Sequence, residues 1–220
     1  MVPGLVRKVF PTARRLLVRR SLERLRIPDT GRVLVIGAGN DPYRGMFGRV
    51  DLYVRFDIVP RKGMTDVVGD ALWLPLRQGA FHCVVASEVL EHVPDPQCFV
   101  AEIERVLAPG GFVIITVPFM FHRHADPLDC WRPTADTLLR LFASFTEVTV
   151  TAQGNRLHSM SDLLTTAFYP VPVLFPLRLF NHLLVRLPRA LTAADRGSTA
   201  PSGFMVVARK RNGRAQVSPP

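Results

Sequence analysis

Residues 32–42 read Arg-Val-Leu-Val-Ile-Gly-Ala-Gly-Asn-Asp-Pro. The apolar run Val33–Ile36 suits a strand buried on both faces, and Gly37 and Gly39 directly after it allow a tight turn and a close approach of a ligand to the backbone. Downstream, short β-rich runs alternate with helical stretches, the pattern of βαβ units on a mostly parallel sheet. Strands are predicted at 32–37, 52–57, 81–87, 111–117, 147–151 and 204–208, with a short one near 66–69. A helix is predicted after Asp95, which can cap it, with Pro96 at its first position. Phe99, Val100, Ile103, Val106 and Leu107 share one face until Pro109-Gly110-Gly111 stops it. A second helix is predicted from Thr134 to about Phe142. The fold class expected is α/β: a Rossmann-like, mostly parallel seven-stranded sheet with helices on both faces.

The length of 220 residues, with 48% hydrophobic and 21% charged side chains, fits one soluble domain and excludes disordered and collagen-like classes. Cys83, Cys98 and Cys130 form no C-x-x-C pair, and three cysteines cannot close a disulfide framework, so a reducing compartment is the simpler expectation. The net charge of +10 divides into +7 over residues 1–26, −1 over 27–208 and +4 over the last twelve. A nucleic-acid enzyme more often carries its positive charge across a binding face, so nucleic acid is not the expected partner. Basic ends suit an anionic membrane surface or solubility equally well.

The N-terminal stretch has no apolar h-region for a secretory signal and no hydrophobic run after its Arg pairs, so cytoplasmic residence is expected, with the inner membrane face as an option. A helix over about 12–26 has a mixed wheel, in which Arg14 and Arg24 interrupt the side shared by Phe10, Leu17, Val18, Leu22 and Leu25. Packing on the domain is the preferred reading over membrane contact. Between the last two strands, 157–203 is more than the sheet needs and contains 163–177, uncharged but broken by Pro170, Pro172 and Pro176. It is too short to span a bilayer and reads as a packed insertion or an interfacial apolar element. Peripheral membrane contact through 1–26 and 163–191 thus stays open, as does the oligomeric state.

The glycine turn gains meaning from Asp57, twenty residues after Gly37 at the end of the next strand, where a carboxylate can accept from both hydroxyls of a ribose. An adenosine-containing ligand follows. A dinucleotide fingerprint needs a third glycine where this chain has Pro42, and no Tyr-x-x-x-Lys pair occurs, so a nicotinamide enzyme is the runner-up.

Five blocks in order, Val33–Gly39, Asp57, Gly69–Pro75, Phe81–Val93 and Leu107–Gly111, make the chain resemble the class I S-adenosylmethionine-dependent methyltransferases, of the type 11 small-molecule kind, across about 32–150. The resemblance implies S-adenosylmethionine as cofactor, held by Gly37, Ala38 and Gly39 at its methionine part. It further implies Asp57 and Ile58 at the ribose, Asp70 at the adenine amino group, Ala71 and Leu72 beside the ring, and Ser87 and Glu88 lining the site. Two positions depart from the family pattern: Val35 stands where Asp or Glu is usual, and Asp41 where glycine is frequent. The domains expected are a basic helical extension over 1–30, the methyltransferase domain over 31–208 with its 157–203 insertion, and a basic flexible tail over 209–220.

Residues 118–134 concentrate polar and aromatic side chains at the carboxyl edge, where α/β sheets place ligands. His124, Pro127, Asp129 and Arg132 match a His-x-x-Pro-x-Asp-x-x-Arg string in a subset of the family linked to bacterial polysaccharide and glycolipid pathways, and Pro42-Tyr43-Arg44 fits that subset too. A hydroxyl acceptor gains from a base, for which His124, oriented by Asp129, is the first candidate and His122 the second. The alternative is that His124 and Asp129 only shape a loop. Trp131 and Arg132 are expected as a stacking and anion-binding wall or, for Trp131, as core, and His92 as a substrate-side residue or a terminator of backbone groups. His122, His124, Asp126, Asp129 and Cys130 fall within nine residues, but no second Cys/His cluster is apparent and no metal is expected. The function expected is methyl transfer to a small-molecule, glycan or glycolipid acceptor, with oxygen as the expected atom; the alternatives are a non-catalytic cofactor-binding module and an RNA methyltransferase.

Overall fold

The computed structural model describes residues 11–25, 31–124, 128–167, 179–186 and 200–212. Expectations on 1–10, 26–30, 125–127, 168–178, 187–199 and 213–220, which include Pro127 and the three prolines of the apolar segment, lie outside these. The strands are β1 (Arg32–Ile36), β2 (Leu52–Asp57), β3 (Val67–Val68), β4 (Phe81–Ser87), β5 (Leu107–Pro118), β6 (Thr146–Gln153) and β7 (Gly203–Arg209). They form one sheet in the order β3-β2-β1-β4-β5-β7-β6. The first five strands in that order pair parallel, while β7 runs antiparallel to both β5 and β6. The sequence order reverses between β1 and β4, so the loops after these two strands open side by side at the carboxyl edge.

Alternation along each strand sends side chains to two separate cores. Leu34, Ile36, Val84 and Ala86 face one side with Phe99, Val100, Ile103 and Val106 of helix α2 (Pro96–Val106) and Leu138 of α3 (Ala135–Leu141). Val33, Val35 and Val85 face the other, against Val18 and Leu22 of α1 (Ala13–Glu23). Asp95 caps α2 by accepting from the N–H groups of Gln97 and Cys98, at 3.0 and 2.9 Å. Removing this cap in Asp95→Ala is expected to cost about 1 kcal/mol in urea unfolding. Thr134 caps α3 as anticipated.

Three boundaries differ from expectation, each for a reason outside the local pattern. The helix after Asp95 ends at Val106, and Leu107 already belongs to β5, because 107–111 is taken into the sheet. The Gly110 N–H donates to Lys210 O at 3.2 Å and the Lys210 N–H to Gly111 O at 2.7 Å, so Pro109-Gly110, with Gly110 at φ +72°, forms an irregular, bulged start of β5 instead of a stop. For the same reason the described part of the basic tail is anchored: Arg209 pairs with Glu147 at 3.0 Å, and Arg211 Nε donates to Ser144 O at 2.9 Å. The N-terminal helix starts at Ala13, with Thr12 as its cap, and packs on the domain.

Two helices lie between β6 and β7: α4 (Arg156–Ala167) and α5 (Phe180–Arg186). Both pack against α1, and Asp162 of α4 accepts from the N–H groups of Ala13 and Arg14, at 2.6 and 2.8 Å, at the start of α1. A carboxylate at a helix N-terminus satisfies orphan donors and complements the helix dipole. Leu157, Met160, Leu164, Phe180 and Leu183 of these two helices are exposed. No described helix is long and apolar enough to cross a membrane.

Candidate active site

The turn after β1 has the conformation its glycines permit. Gly37 and Gly39 have φ of +65° and +55°. A Cβ on Gly37 would overlap the Val89 Cγ2 methyl, whereas one on Gly39 would meet only Gly37 O, at 3.9 Å. Gly37 therefore closes the loop against the segment after β4, and Gly39 leaves open space above the turn. Ala38 is buried beneath it.

Asp57 ends β2 beside this space. Its Oδ2 accepts from the Gly39 N–H at 2.8 Å and from Arg61 at 2.9 Å, and its Oδ1 accepts from the Val59 N–H at 2.9 Å. A carboxylate offers about four lone-pair sites, so three of them are engaged by the chain itself. Arg61 is partly exposed, and its i,i+4 pair with Asp57 is the replaceable contact. Ile58 is exposed next to it. Asp70 is exposed, and its Oδ1 holds the Leu72 N–H at 2.9 Å, which shapes the turn carrying Ala71 and Leu72.

Of the two departures from the family pattern, Val35 points into the core shared with α1. Asp41, with φ of +45°, accepts from the Tyr53 hydroxyl at 2.8 Å, and Arg44 stacks over the same ring. Burial, then Asp41, raises the Tyr53 hydroxyl well above its ordinary range, so it remains a donor.

Past β4 the geometry is less ordinary. Glu88, non-glycine yet at φ +57°, receives Arg14 through two bonds, Nε–Oε2 at 3.0 Å and Nη2–Oε1 at 2.6 Å. Thr116 donates to Glu88 Oε1 at 2.9 Å and lies 2.9 Å from the Ser87 hydroxyl. Arg14 also donates to Gln153 at 2.7 Å, and its guanidinium fills the place a Gly203 Cβ would take. Burial alone would raise the Glu88 carboxyl; the charge and hydrogen bonds of Arg14, with the Thr116 bond, outweigh it and hold it below its usual range. Arg14 and Gln153 are thus site-side residues that sequence reasoning missed. The signal was present: Arg14 interrupts an apolar helix face, which places its charge toward the interior.

The one-turn helix Leu90–His92 follows, and the loop after β5 returns to it. Glu91 is fully buried, and neither carboxylate oxygen meets a hydrogen-bond partner from another described residue. Burial and the neighbouring Glu88 push its carboxyl well above the ordinary range. The Nε2 atoms of His92 and His124 stand 3.6 and 3.7 Å from Glu91 Oε1. Asp129 accepts from the His124 backbone N–H at 2.8 Å and from Arg132 Nη2 at 2.7 Å, while its distance to His124 Nδ1 is 3.6 Å. Burial opposes ionisation of Asp129, but Arg132 and the His124 N–H lower its carboxyl to about 2. Asp129 therefore fixes the loop more directly than the imidazole.

The expected Trp131/Arg132 wall separates into two places. The Arg132 fork is occupied by Asp129. Trp131 donates its indole N–H to Val93 O at 2.7 Å and lines a cleft of about 840 Å³ with Leu90, Pro94, Val100, Pro133 and Leu141. None of the glycine turn, Asp57, Asp70 or His124 is in that lining. His122 packs its ring on Phe121 with centroids 4.2 Å apart, and 5.9 Å from that of His124.

Residues 39–115 match the family described as "Methyltransferase domain". A norajmaline N-methyltransferase of Rauvolfia serpentina is 43% identical over 60 residues, covering 27% of this chain and 20% of its own. A probable chloroplastic tocopherol O-methyltransferase of Oryza sativa subsp. japonica is 39% identical over 74 residues, 32% of this chain and 20% of its own. The matched stretch thus spans about a fifth of the length of these curated relatives. Among solved structures, phosphoethanolamine N-methyltransferase 2 of Haemonchus contortus in complex with S-adenosyl-L-methionine superposes with a TM-score of 0.57 at 16% identity, over 89% of this chain and 52% of that one.

Proposed function

We propose that this chain, whose residues 39–115 belong to the methyltransferase domain family and whose sheet is that of the class I enzymes, transfers a methyl group from S-adenosylmethionine to a small-molecule acceptor. The observation that carries the reading is the open space over Gly39 bounded by Asp57, with Asp70 at the next loop of the same sheet edge. Gly37, Ala38 and Gly39 would hold the methionine part, Asp57 and Ile58 the ribose, and Asp70, Ala71 and Leu72 the adenine. Ser87 and Glu88 close the side toward β4. S-adenosylmethionine supplies a methyl carbon already activated by a sulfonium; the acceptor's lone pair forms the new bond as the C–S pair returns to sulfur.

The chain's own part is alignment and proton handling. Holding an acceptor atom about 3 Å from the methyl carbon in line with the breaking bond supplies much of the rate. The acceptor side is the His124–Glu91–His92 cluster, and His124, with His122 behind it, assists loss of the acceptor proton. An oxygen of a glycan or glycolipid is the acceptor we favour. The exposed apolar side chains of α4 and α5 give such an enzyme a face for lipid at the inner membrane surface. Arg14, Arg19 and Arg20 have protein partners, so less of the N-terminal charge is left for RNA than the sequence count suggests.

Calorimetry with S-adenosylhomocysteine tests the reading. Micromolar binding is expected, weakened at least tenfold in Asp70→Ala with the melting temperature little changed, and at least tenfold in Asp57→Ala, which also frees the Gly39 and Val59 N–H groups and lowers the melting temperature. Absence of binding to the natural chain overturns it and leaves an interaction module.

A further inference from the structure

We infer that Glu91, His92 and His124 form a binding site for a divalent transition-metal ion of the Zn²⁺ class. The inference deepens the methyl-transfer reading and rests on it for the ion's role, though not for its binding.

Three independent features of the geometry meet at this point. One ligand atom from each residue lies within 4.8 Å of the others. The 3.6 and 3.7 Å separations between Glu91 Oε1 and the two Nε2 atoms are too long for hydrogen bonds. They lie near the edge of about 3.3 Å that ligands at about 2.0–2.1 Å from a tetrahedral ion subtend.

The second feature is the tautomer each ring is obliged to take. His92 Nδ1 lies on Leu128 O, and His124 Nδ1 lies 3.3 Å from His122 O with Asp129 behind it. Both rings therefore carry their proton on Nδ1 and turn the Nε2 lone pair toward Glu91. Backbone and carboxylate acceptors on the far nitrogen are the usual support of metal-binding histidines.

The third is the state of Glu91. A fully buried carboxylate without a hydrogen-bond partner needs a proton or a cation; with the two Nε2 atoms at 3.6 and 3.7 Å, beyond hydrogen-bond range, a proton removes the charge but leaves its O–H unbonded at this geometry. Two lone pairs and one carboxylate directed at a common point satisfy it with a cation. Two imidazoles and a carboxylate suit Zn²⁺, Co²⁺ or Fe²⁺ more than Mg²⁺, which prefers oxygen and water. The rings of His92 and His124 are partly exposed, so the ion has an approach and an open position. An acceptor hydroxyl bound there loses its proton to solvent more readily, and its oxygen pair then takes the methyl carbon while the C–S pair returns to sulfur. His124 in this arrangement acts on the acceptor through the ion instead of as a free base.

The test uses untagged full-length protein stripped with a chelator and titrated with CoCl₂, read by visible absorption, with ZnCl₂ as competitor. Saturable binding of one Co²⁺ per chain, displaced by Zn²⁺, is expected. Glu91→Gln, His92→Gln and His124→Ala should each weaken it at least tenfold; the two glutamine variants are close in shape, and circular dichroism checks that they fold. No saturable binding, or equal binding by folded variants, overturns the inference. S-adenosylhomocysteine binding on the same samples separates the two readings. Its presence without Co²⁺ binding sinks only the ion site, and Co²⁺ binding without it leaves the ion site standing and sinks methyl transfer.

Discussion

Replacing Arg14 with methionine is expected to destabilise the chain by about 3–5 kcal/mol in chemical denaturation, the range for removing one partner of a buried ion pair. The guanidinium is 3% exposed, and its loss leaves Glu88 and Gln153 with unmet polar atoms and a cavity beside Gly203. The pH dependence should also change sign. In the natural chain the Glu88 carboxyl is held below its unfolded value, so its contribution is present above the ordinary carboxylate range and lost as pH falls through the folded value. Without Arg14, burial would dominate and raise the carboxyl, so the Glu88 contribution would diminish as pH rises instead. The Thr116 hydrogen bond and His124 are the remaining groups that lower it. A Glu88→Gln, Arg14→Met double variant should recover part of the loss. If the single variant loses under about 1 kcal/mol, Arg14 behaves as a surface charge and its placement against Glu88 is wrong.

Gly37→Ala is expected to cost about 2–5 kcal/mol and to abolish S-adenosylhomocysteine binding. The left-handed backbone costs an alanine about 1–2 kcal/mol, and the overlap with Val89 adds the cost of overpacking, about 1–3 kcal/mol. Relief requires moving either the turn or Val89, which begins the segment carrying Glu91 and His92. Gly39→Ala is the control: it has a similar φ but open space, so it should lose the conformational part alone in stability while still obstructing the ligand. Equal melting temperatures for the two variants would show that the Val89 contact does not hold the turn.

Local signals were sufficient where a residue's role depends on its neighbours in sequence. The apolar run Val33–Ile36, the Asp95 cap, the helix start near Thr134 and the β-rich runs at 81–87 and 111–117 each lead to the element observed. They were insufficient at 107–111, where Pro-Gly-Gly reads as a stop but cross-strand bonds with Lys210 take the bulged segment into β5. A partner about a hundred residues away in sequence leaves no mark on the local pattern.

The candidate site divides along the same line. Gly37, Gly39 and Asp57 are legible as candidates because a ligand for the carboxyl edge of a parallel sheet draws on the ends of successive strands, at spacings the chain displays; Asp70 entered through the family resemblance. Of the candidate ligands close in sequence at 122–130, Asp129 turns to Arg132 and the His124 N–H. The set brought together in space joins Glu91 and His92, after β4, to His124, after β5, because these strands are parallel neighbours whose loops emerge at one edge. Arg14 reaches Glu88 only because α1 packs on the sheet with Asp162 at its N-terminus. Spacing and periodicity thus pointed to the sheet, its glycine turn and Asp57 beside it, since each is a property of a contiguous segment. Which charges are buried, which are paired and which histidines meet depended on the packing of segments far apart in the chain, where desolvation makes a single missing partner cost several kilocalories per mole.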